Sequence, residues 1–182
     1  MIRMLTPSLV INSHDVPGPT YHMWRTVKAR RGAYVHELID YIDDGHRVAL
    51  ETFGYRLLNI VINCHGQPGS LYVGGDGTTS VSQSEVSALA PLRGKGSGTI
   101  WLVSCNVAKG NFGKDFCQAL AVTTGYQVVA ADDFQEVGLW GGYNVLFVDN
   151  CIDEFEGNVF GFYASGTHRQ IDPHEDVFTI YD

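Results

Sequence analysis

Short apolar runs alternate with longer amphipathic stretches over residues 8–131. Ser8–Asn12 is apolar and β-branched and is followed by Pro17-Gly18-Pro19, the pattern of a buried strand and a loop. Val35, Leu38, Ile39 and Ile42 recur at three- and four-residue steps, so the spacing predicts a helix over roughly 21–43, weakened at Gly32 and stopped by Gly45. Residues 57–63 are apolar on both faces, as in a parallel strand covered by helices on each side. Leu71-Tyr72-Val73 with the following Gly74-Gly75-Asp76-Gly77 predicts a short hairpin. Ser82 and Glu85 form a capping-box signature, and Val86, Leu89 and Leu92 give a helical stripe that Gly94 ends. A third covered strand is predicted over 99–104. A helix follows with Phe112, Phe116 and Leu120 on one face, closing near Gly125, and Gln127–Ala131 is a fourth strand. Residues 143–148 and 159–163 read as an antiparallel addition. The expected fold is α/β in three layers: a mostly parallel central sheet with right-handed crossovers, helices on both faces, and that C-terminal antiparallel addition.

Composition narrows this picture. The 182 residues, 45% of them hydrophobic, suffice for one well-buried domain, and no repeat, low-complexity stretch or Pro-rich linker divides them. A single domain over 1–182 is expected, with a polar tail over 166–182. The phrases Val-Ile-Asn-Ser-His at 10–14 and Val-Ile-Asn-Cys-His at 61–65 read as two similar strand endings rather than a duplication, because their surroundings differ. Twelve Lys and Arg against 20 Asp and Glu leave a net charge of −8, which repels phosphate backbones and anionic lipid, so neither nucleic acid nor membrane is an expected partner. The longest apolar run is far short of the roughly 20 residues of a membrane span, and the N-terminus lacks the pattern of a signal peptide. A cytoplasmic bacterial protein, or an effector delivered without a classical signal peptide, is expected. Cys64, Cys105, Cys117 and Cys151 are too scattered for a disulfide scaffold and form no C-x-x-C pair for zinc, which predicts free thiols in a reducing compartment.

Candidate chemistry is sought at the carboxyl ends of the strands, where the loops of an open parallel sheet converge. The strand at 57–63 runs out into Cys64-His65-Gly66, and the strand at 99–104 runs out into Cys105-Asn106. One crossover places a histidine and a cysteine side by side, the arrangement of a thiol and its base. A thiolate is the useful nucleophile, and an imidazole or a helix N-terminus stabilises it; the helix containing Phe112 begins a few residues after Cys105. The N–H groups of Gly66 and Cys105 are suited to an oxyanion.

The stretches Asn59-Ile-Val-Ile-Asn-Cys-His65-Gly66 and Ile100-Trp-Leu-Val-Ser-Cys105-Asn-Val resemble the caspase-like (clan CD) cysteine peptidases, which include caspases, metacaspases, gingipains, separases and the self-processing domains of bacterial toxins. Ala108-Lys-Gly-Asn-Phe-Gly113, Leu120-Ala-Val-Thr-Thr-Gly125 and Val128-Val-Ala-Ala131 also resemble bacterial members. The resemblance covers roughly 8–165, with the two strand-end motifs its specific part. It implies a cysteine endopeptidase acting on protein or peptide substrates without a cofactor: His65 as general base or acid, Cys105 as nucleophile, Gly66 as oxyanion donor. Because no long acidic linker separates two subunits, a single-chain bacterial or toxin-type member is the nearer likeness, and maturation by internal cleavage is not expected. In this clan the residue two before the nucleophile often lines the pocket for the side chain before the scissile bond. That residue is Val103, an apolar wall; Asp132 and Asp133 at the end of the next strand offer a negative pocket instead, or a solvated turn. His14 stands near the same edge, as a cleft residue or a plain loop histidine.

Other features carry bland readings. Cys64 faces the opposite side from His65 and is expected in the core, Cys117 reads as buried filler on its helix, and Cys151 as an exposed residue of an acidic loop. His168 and His174 with Asp172, Glu175 and Asp176 read as a solvated tail rather than a metal site. Arg25, Lys28, Arg30 and Arg31 form a basic cluster, expected on an exposed helix face. The glycines at 74–77 fit a hairpin turn better than a phosphate cradle, since no Walker lysine follows. Two other functional classes stay open beside the peptidase: a catalytically silent binding or regulatory module, and an acyl transferase or esterase using the same dyad.

Overall fold

The chain folds around a mixed sheet, and the computed structural model describes residues 1–16, 20–75, 81–135 and 150–175. In chain order the described elements are β1 (Ile2–Arg3), β2 (Ser8–Asn12), β3 (Arg25–Lys28), α1 (Val35–Phe53), β4 (Asn59–Asn63), β5 (His65–Gln67), β6 (Ser70–Tyr72), β7 (Val81–Ser82), a 3-10 helix (Val86–Leu92), β8 (Thr99–Val103), α2 (Gly110–Thr124), β9 (Gln127–Ala131), β10 (Cys151–Ile152), β11 (Val159–Phe162) and β12 (His168–Gln170). Seven strands form the main sheet in the order β12-β11-β9-β8-β4-β2-β3. The pairs from β9 to β3 are parallel, and β11 joins β9 and β12 antiparallel. The fold is therefore α/β with a mixed sheet, and the antiparallel addition at 159–163 is present as β11. The strand expected over 143–148, the Pro17-Gly18-Pro19 loop, Asp76 and Gly77 of the glycine run, and Asp176 lie outside the described residues.

Period-two alternation divides the strands between two apolar layers. Leu9, Ile11, Ile60, Ile62, Ile100, Leu102 and Val128 pack with Leu38, Ile42, Leu89, Phe116 and Leu120, so α1, the 3-10 helix and α2 all stand on one face. Val10, Val61, Trp101 and Val129 face the other way, onto Ile2, Met4, Tyr21, Met23, Ile152 and Ile171. Among the described residues, the β1–β10 ribbon and loop residues cover that second face, where helices were expected. A strand apolar on both faces records that both are covered, not what covers them.

The helix expected over 21–43 is corrected: β3 and a turn occupy its first half, and α1 begins at Val35. Thr26 and Val27 favour a strand, and the Glu37 carboxylate accepts the Tyr34 N–H at 2.7 Å to start the helix. Gly45 does not stop α1. A Cβ there would lie 2.9 Å from Leu57 and 3.1 Å from Leu9, so the glycine lets the helix approach the sheet, and Gly54, in the left-handed region, ends it. The basic cluster accordingly falls on β3 and its turn rather than a helix, with Arg25 paired to Asp44 and Arg30 to Glu37. Only half of the capping box expected at Ser82 and Glu85 forms: the Glu85 carboxylate accepts the Ser82 N–H at 3.0 Å, while the Glu85 N–H donates to the Ser82 carbonyl rather than to its hydroxyl, and the following segment is 3-10, as suits buried residues spaced three apart at Val86, Leu89 and Leu92. Cys151 is buried in β10 opposite Arg3 instead of exposed. Phe112 projects into solvent, whereas Phe116 and Leu120 reach the core.

Candidate functional site

β4 and β8 are parallel neighbours with Asn63 opposite Val103. Continued by one residue, that register brings Cys64 beside Ser104, and the Cys64 sulfur lies 3.2 Å from the Ser104 hydroxyl. Burial pushes the Cys64 thiol up to about 12 and the Cys117 thiol upward as well. His65 and Cys105, the next residue of each segment, are both half-buried.

Gly66 holds the two segments together. A Cβ built on it would stand 2.8 Å from Ser104 Cβ, 3.0 Å from the Cys105 carbonyl oxygen and 3.4 Å from the Cys105 nitrogen. Only a residue without a side chain lets this backbone lie against Cys105. The turn after β8 is pinned to the end of β9: the Asn106 N–H donates to the Asp133 carbonyl at 2.8 Å and the Ala108 N–H to the Ala131 carbonyl at 3.1 Å. Asn106 sits at φ 56°, a left-handed position that asparagine tolerates. Among the described residues the Cys105 N–H donates no hydrogen bond.

The reactive atoms each face a backbone carbonyl. Cys105 Sγ is 3.8 Å from the Gln135 oxygen, and His65 Nε2 is 3.2 Å from the Asp15 oxygen. A carbonyl oxygen only accepts, so Nε2 carries the hydrogen and Nδ1 of the neutral ring keeps its lone pair. Neither contact joins the sulfur to the imidazole. Asp15 also takes the Ser13 hydroxyl at 3.4 Å, and its carboxylate fills the space beside Gly75.

Beneath the site lies a buried amide pair that the sequence reading overlooked. Asn63 Nδ2 donates to Asn12 Oδ1 at 2.8 Å, and Asn12 exchanges two hydrogen bonds with the Tyr21 backbone at 3.1 and 3.2 Å. These asparagines end β2 and β4, where the strand order reverses: β3 lies to one side and β8 to the other. The signal was present in the matching Val-Ile-Asn endings at 10–12 and 61–63.

Among the remaining candidates, Val103 is half-buried against the Trp101 layer. Asp132 is occupied: Oδ1 accepts the Asn158 N–H at 2.9 Å and Oδ2 the Asn158 side-chain amide at 3.1 Å. The Asp133 carboxylate accepts the Phe134 N–H at 2.8 Å and is exposed, as is His14. His174 reaches Glu154 at 2.8 Å, His168 lies against the Phe162 ring, and among the described residues no group of three or more His, Cys, Asp or Glu is placed to hold a metal ion. No described helix is long and apolar enough to cross a membrane.

A family model described as a domain of unknown function (DUF4347) matches residues 30–139. That span holds His65, Gly66, Val103, Cys105, Asp132 and Asp133 and leaves out His14. None of the curated proteins and none of the solved structures matches the chain.

Proposed function

We propose, for a chain that belongs to the DUF4347 family, the chemistry of a caspase-like cysteine endopeptidase of the single-chain bacterial type. The observation that carries this reading is the seat of Gly66 against the Cys105 backbone, which brings the adjoining His65 alongside the thiol-bearing turn. The finer fold reading, a three-layer caspase-like sandwich with the β1–β10 ribbon and loop residues in place of helices on the second face, goes with it and draws its support from the side-by-side parallel strands β4 and β8 that end in the two motifs.

In this mechanism His65 Nδ1 takes the Cys105 proton while the Asp15 carbonyl holds the Nε2–H and so fixes the tautomer. The thiolate attacks the peptide carbonyl carbon, and the N–H groups of Cys105 and Gly66 bind the resulting oxyanion. As the carbon–nitrogen bond breaks, the imidazolium returns its proton to the departing amine. His65 then deprotonates a water, whose attack on the thioester releases the acid and restores the thiol. The sulfur must first turn from the Gln135 carbonyl toward Nδ1; catalytic hydrogen bonds are often loose until substrate binds. Full engagement of Asp132 with Asn158 favours Val103 and an apolar side chain before the scissile bond. A second reading, the silent binding module, is favoured by one observation: thiol and imidazole are each held by a carbonyl rather than by one another.

The test compares wild type, Cys105→Ala and His65→Ala on a quenched-fluorescence peptide library and with a peptidyl acyloxymethyl ketone, read by intact mass. The wild type is expected to cleave peptides and take one label at Cys105, with the buried Cys64, Cys117 and Cys151 untouched. Each variant is expected to lose at least about a thousandfold in rate. Cleavage and labelling that survive Cys105→Ala would end the assignment, and a folded wild type that neither cleaves nor labels would leave the binding module.

A further inference from the structure

Among the large apolar side chains of the described residues, three are the most exposed: Tyr34 at 59%, Phe112 at 59% and Phe134 at 62%. Two of the three belong to segments that adjoin the turn carrying Cys105. Phe134 lies between Asp133, whose carbonyl accepts the Asn106 N–H at 2.8 Å, and Gln135, whose carbonyl is 3.8 Å from Cys105 Sγ. Phe112, in the first turn of α2, lays its ring over Gly69, where any Cβ would run into it. Gly69 is in the turn joining β5 to β6, the hairpin whose Gly66 lies against Cys105, and its N–H donates to Val107 at 3.1 Å.

Strand order puts the rings on opposite sides. β8 lies between β4 and β9, so the chain leaving β4 and the chain leaving β9 flank the turn that carries Cys105. Phe112 is seated on the first and Phe134 follows the second. Scattered exposed apolar residues need no explanation, but a pair carried on the two segments that flank the turn of one half-buried thiol puts apolar surface on either side of that turn.

We infer that Phe112 and Phe134 are specificity-determining residues of the Cys105 site, which takes extended peptides bearing bulky apolar side chains on both sides of the scissile bond. The inference rests on the peptidase reading. An apolar side chain lying on either ring removes both surfaces from water, and a polar one forgoes that gain.

Quenched peptides with Leu or Ser at each position flanking the cleavage site discriminate the outcomes, with kcat/KM measured for wild type, Phe112→Ala, Phe134→Ala, Phe134→Leu and Tyr55→Ala. Tyr55 is exposed beside the amino end of β4, away from the site, so Tyr55→Ala is expected to behave as wild type. The wild type is expected to prefer Leu on both sides. Each Phe→Ala change is expected to reduce cleavage of the doubly apolar peptide about tenfold and of the Ser peptides less than about threefold, with Phe134→Leu restoring most of the loss. Iodoacetamide alkylation of Cys105 is expected to proceed at the wild-type rate in both Ala variants. Equal losses on all peptides, or Cys105-dependent cleavage with unchanged preference, would overturn this inference and leave the peptidase standing. A wild type inert to every peptide and to the ketone would overturn both.

Discussion

Gly66 matters through the space it leaves. With Ser104 Cβ and the Cys105 carbonyl oxygen at 2.8 and 3.0 Å from its missing Cβ, an alanine must push one strand end away from the other. Overpacking of this kind costs about 1–3 kcal/mol, and a shift of about 1 Å between reacting groups lowers rates by about a hundredfold. Gly66→Ala is therefore expected to lower the urea midpoint and, where the peptidase reading holds, to depress kcat far more than KM. Wild-type stability in this variant would show that the two backbones part without strain. That His65, Gly66 and Cys105 follow the ends of neighbouring strands was legible in the sequence, because apolar strand runs and their ends are local patterns. The Asn12–Asn63 bond was not, since its partners are 51 residues apart and only the folded register brings them together. Cys151 was misread for a related reason: its acidic neighbours suggested a loop, while its burial comes from pairing with β1 near the other end of the chain.

Elements show the same division. β2, β4, β8, β9 and α2 follow from apolar runs and helical spacing, and Gly125 ends α2 where the sequence places its close. The region 21–34 was misassigned because the apolar period of α1 was extended backward through β3, a four-residue edge strand with little pattern of its own. Asp132 is a case where an element's architecture decides between two readings of one residue. Its carboxylate ties the end of β9 to the turn before β11 through both hydrogen bonds of Asn158, and its own N–H donates back to the Asn158 carbonyl at 3.1 Å. Removing a partly exposed carboxylate of this kind costs about 1–2 kcal/mol. Asp132→Ala is expected to lower Tm by a few degrees, for a domain of this size, while leaving any cleavage preference unchanged. Loss of cleavage after Lys or Arg with no change in Tm would restore Asp132 as a pocket residue.

At the scale of the molecule the two ends of the sheet differ in chemistry. The carboxyl ends of β4 and β8 carry the half-buried thiol and imidazole, whereas the amino ends enclose a buried polar pair, His46 and Tyr126. The Leu57 N–H donates to His46 Nδ1 at 3.2 Å, so Nε2 holds the proton and donates to the Tyr126 hydroxyl at 2.5 Å. Burial first, then Arg56, lowers the His46 pKa to about 4, against the opposing pull of Asp43. In the unfolded chain the same imidazole titrates near 6.5. Between those values the unfolded state binds a proton that the folded state refuses, so stability is full above pH 6.5 and falls as pH drops toward 4, by about 3 kcal/mol in all. Glu37, Asp44, Glu85 and Glu154, whose pKa values are lowered from ordinary carboxylate values, act in a more acidic window. The limb from pH 6.5 to 5 therefore isolates His46. Urea midpoints across it are expected to decline in the wild type and to stay flat in His46→Leu, a variant already weaker at pH 7 because the Leu57 N–H and Tyr126 hydroxyl lose their partner. An equal decline in both proteins would assign the acid sensitivity to other groups. Because this pair lies at the opposite end of the sheet from Cys105, the variant's cleavage profile against pH, where the peptidase reading holds, is expected to match the wild type wherever both remain folded, which separates acid unfolding from events at the Cys105 turn.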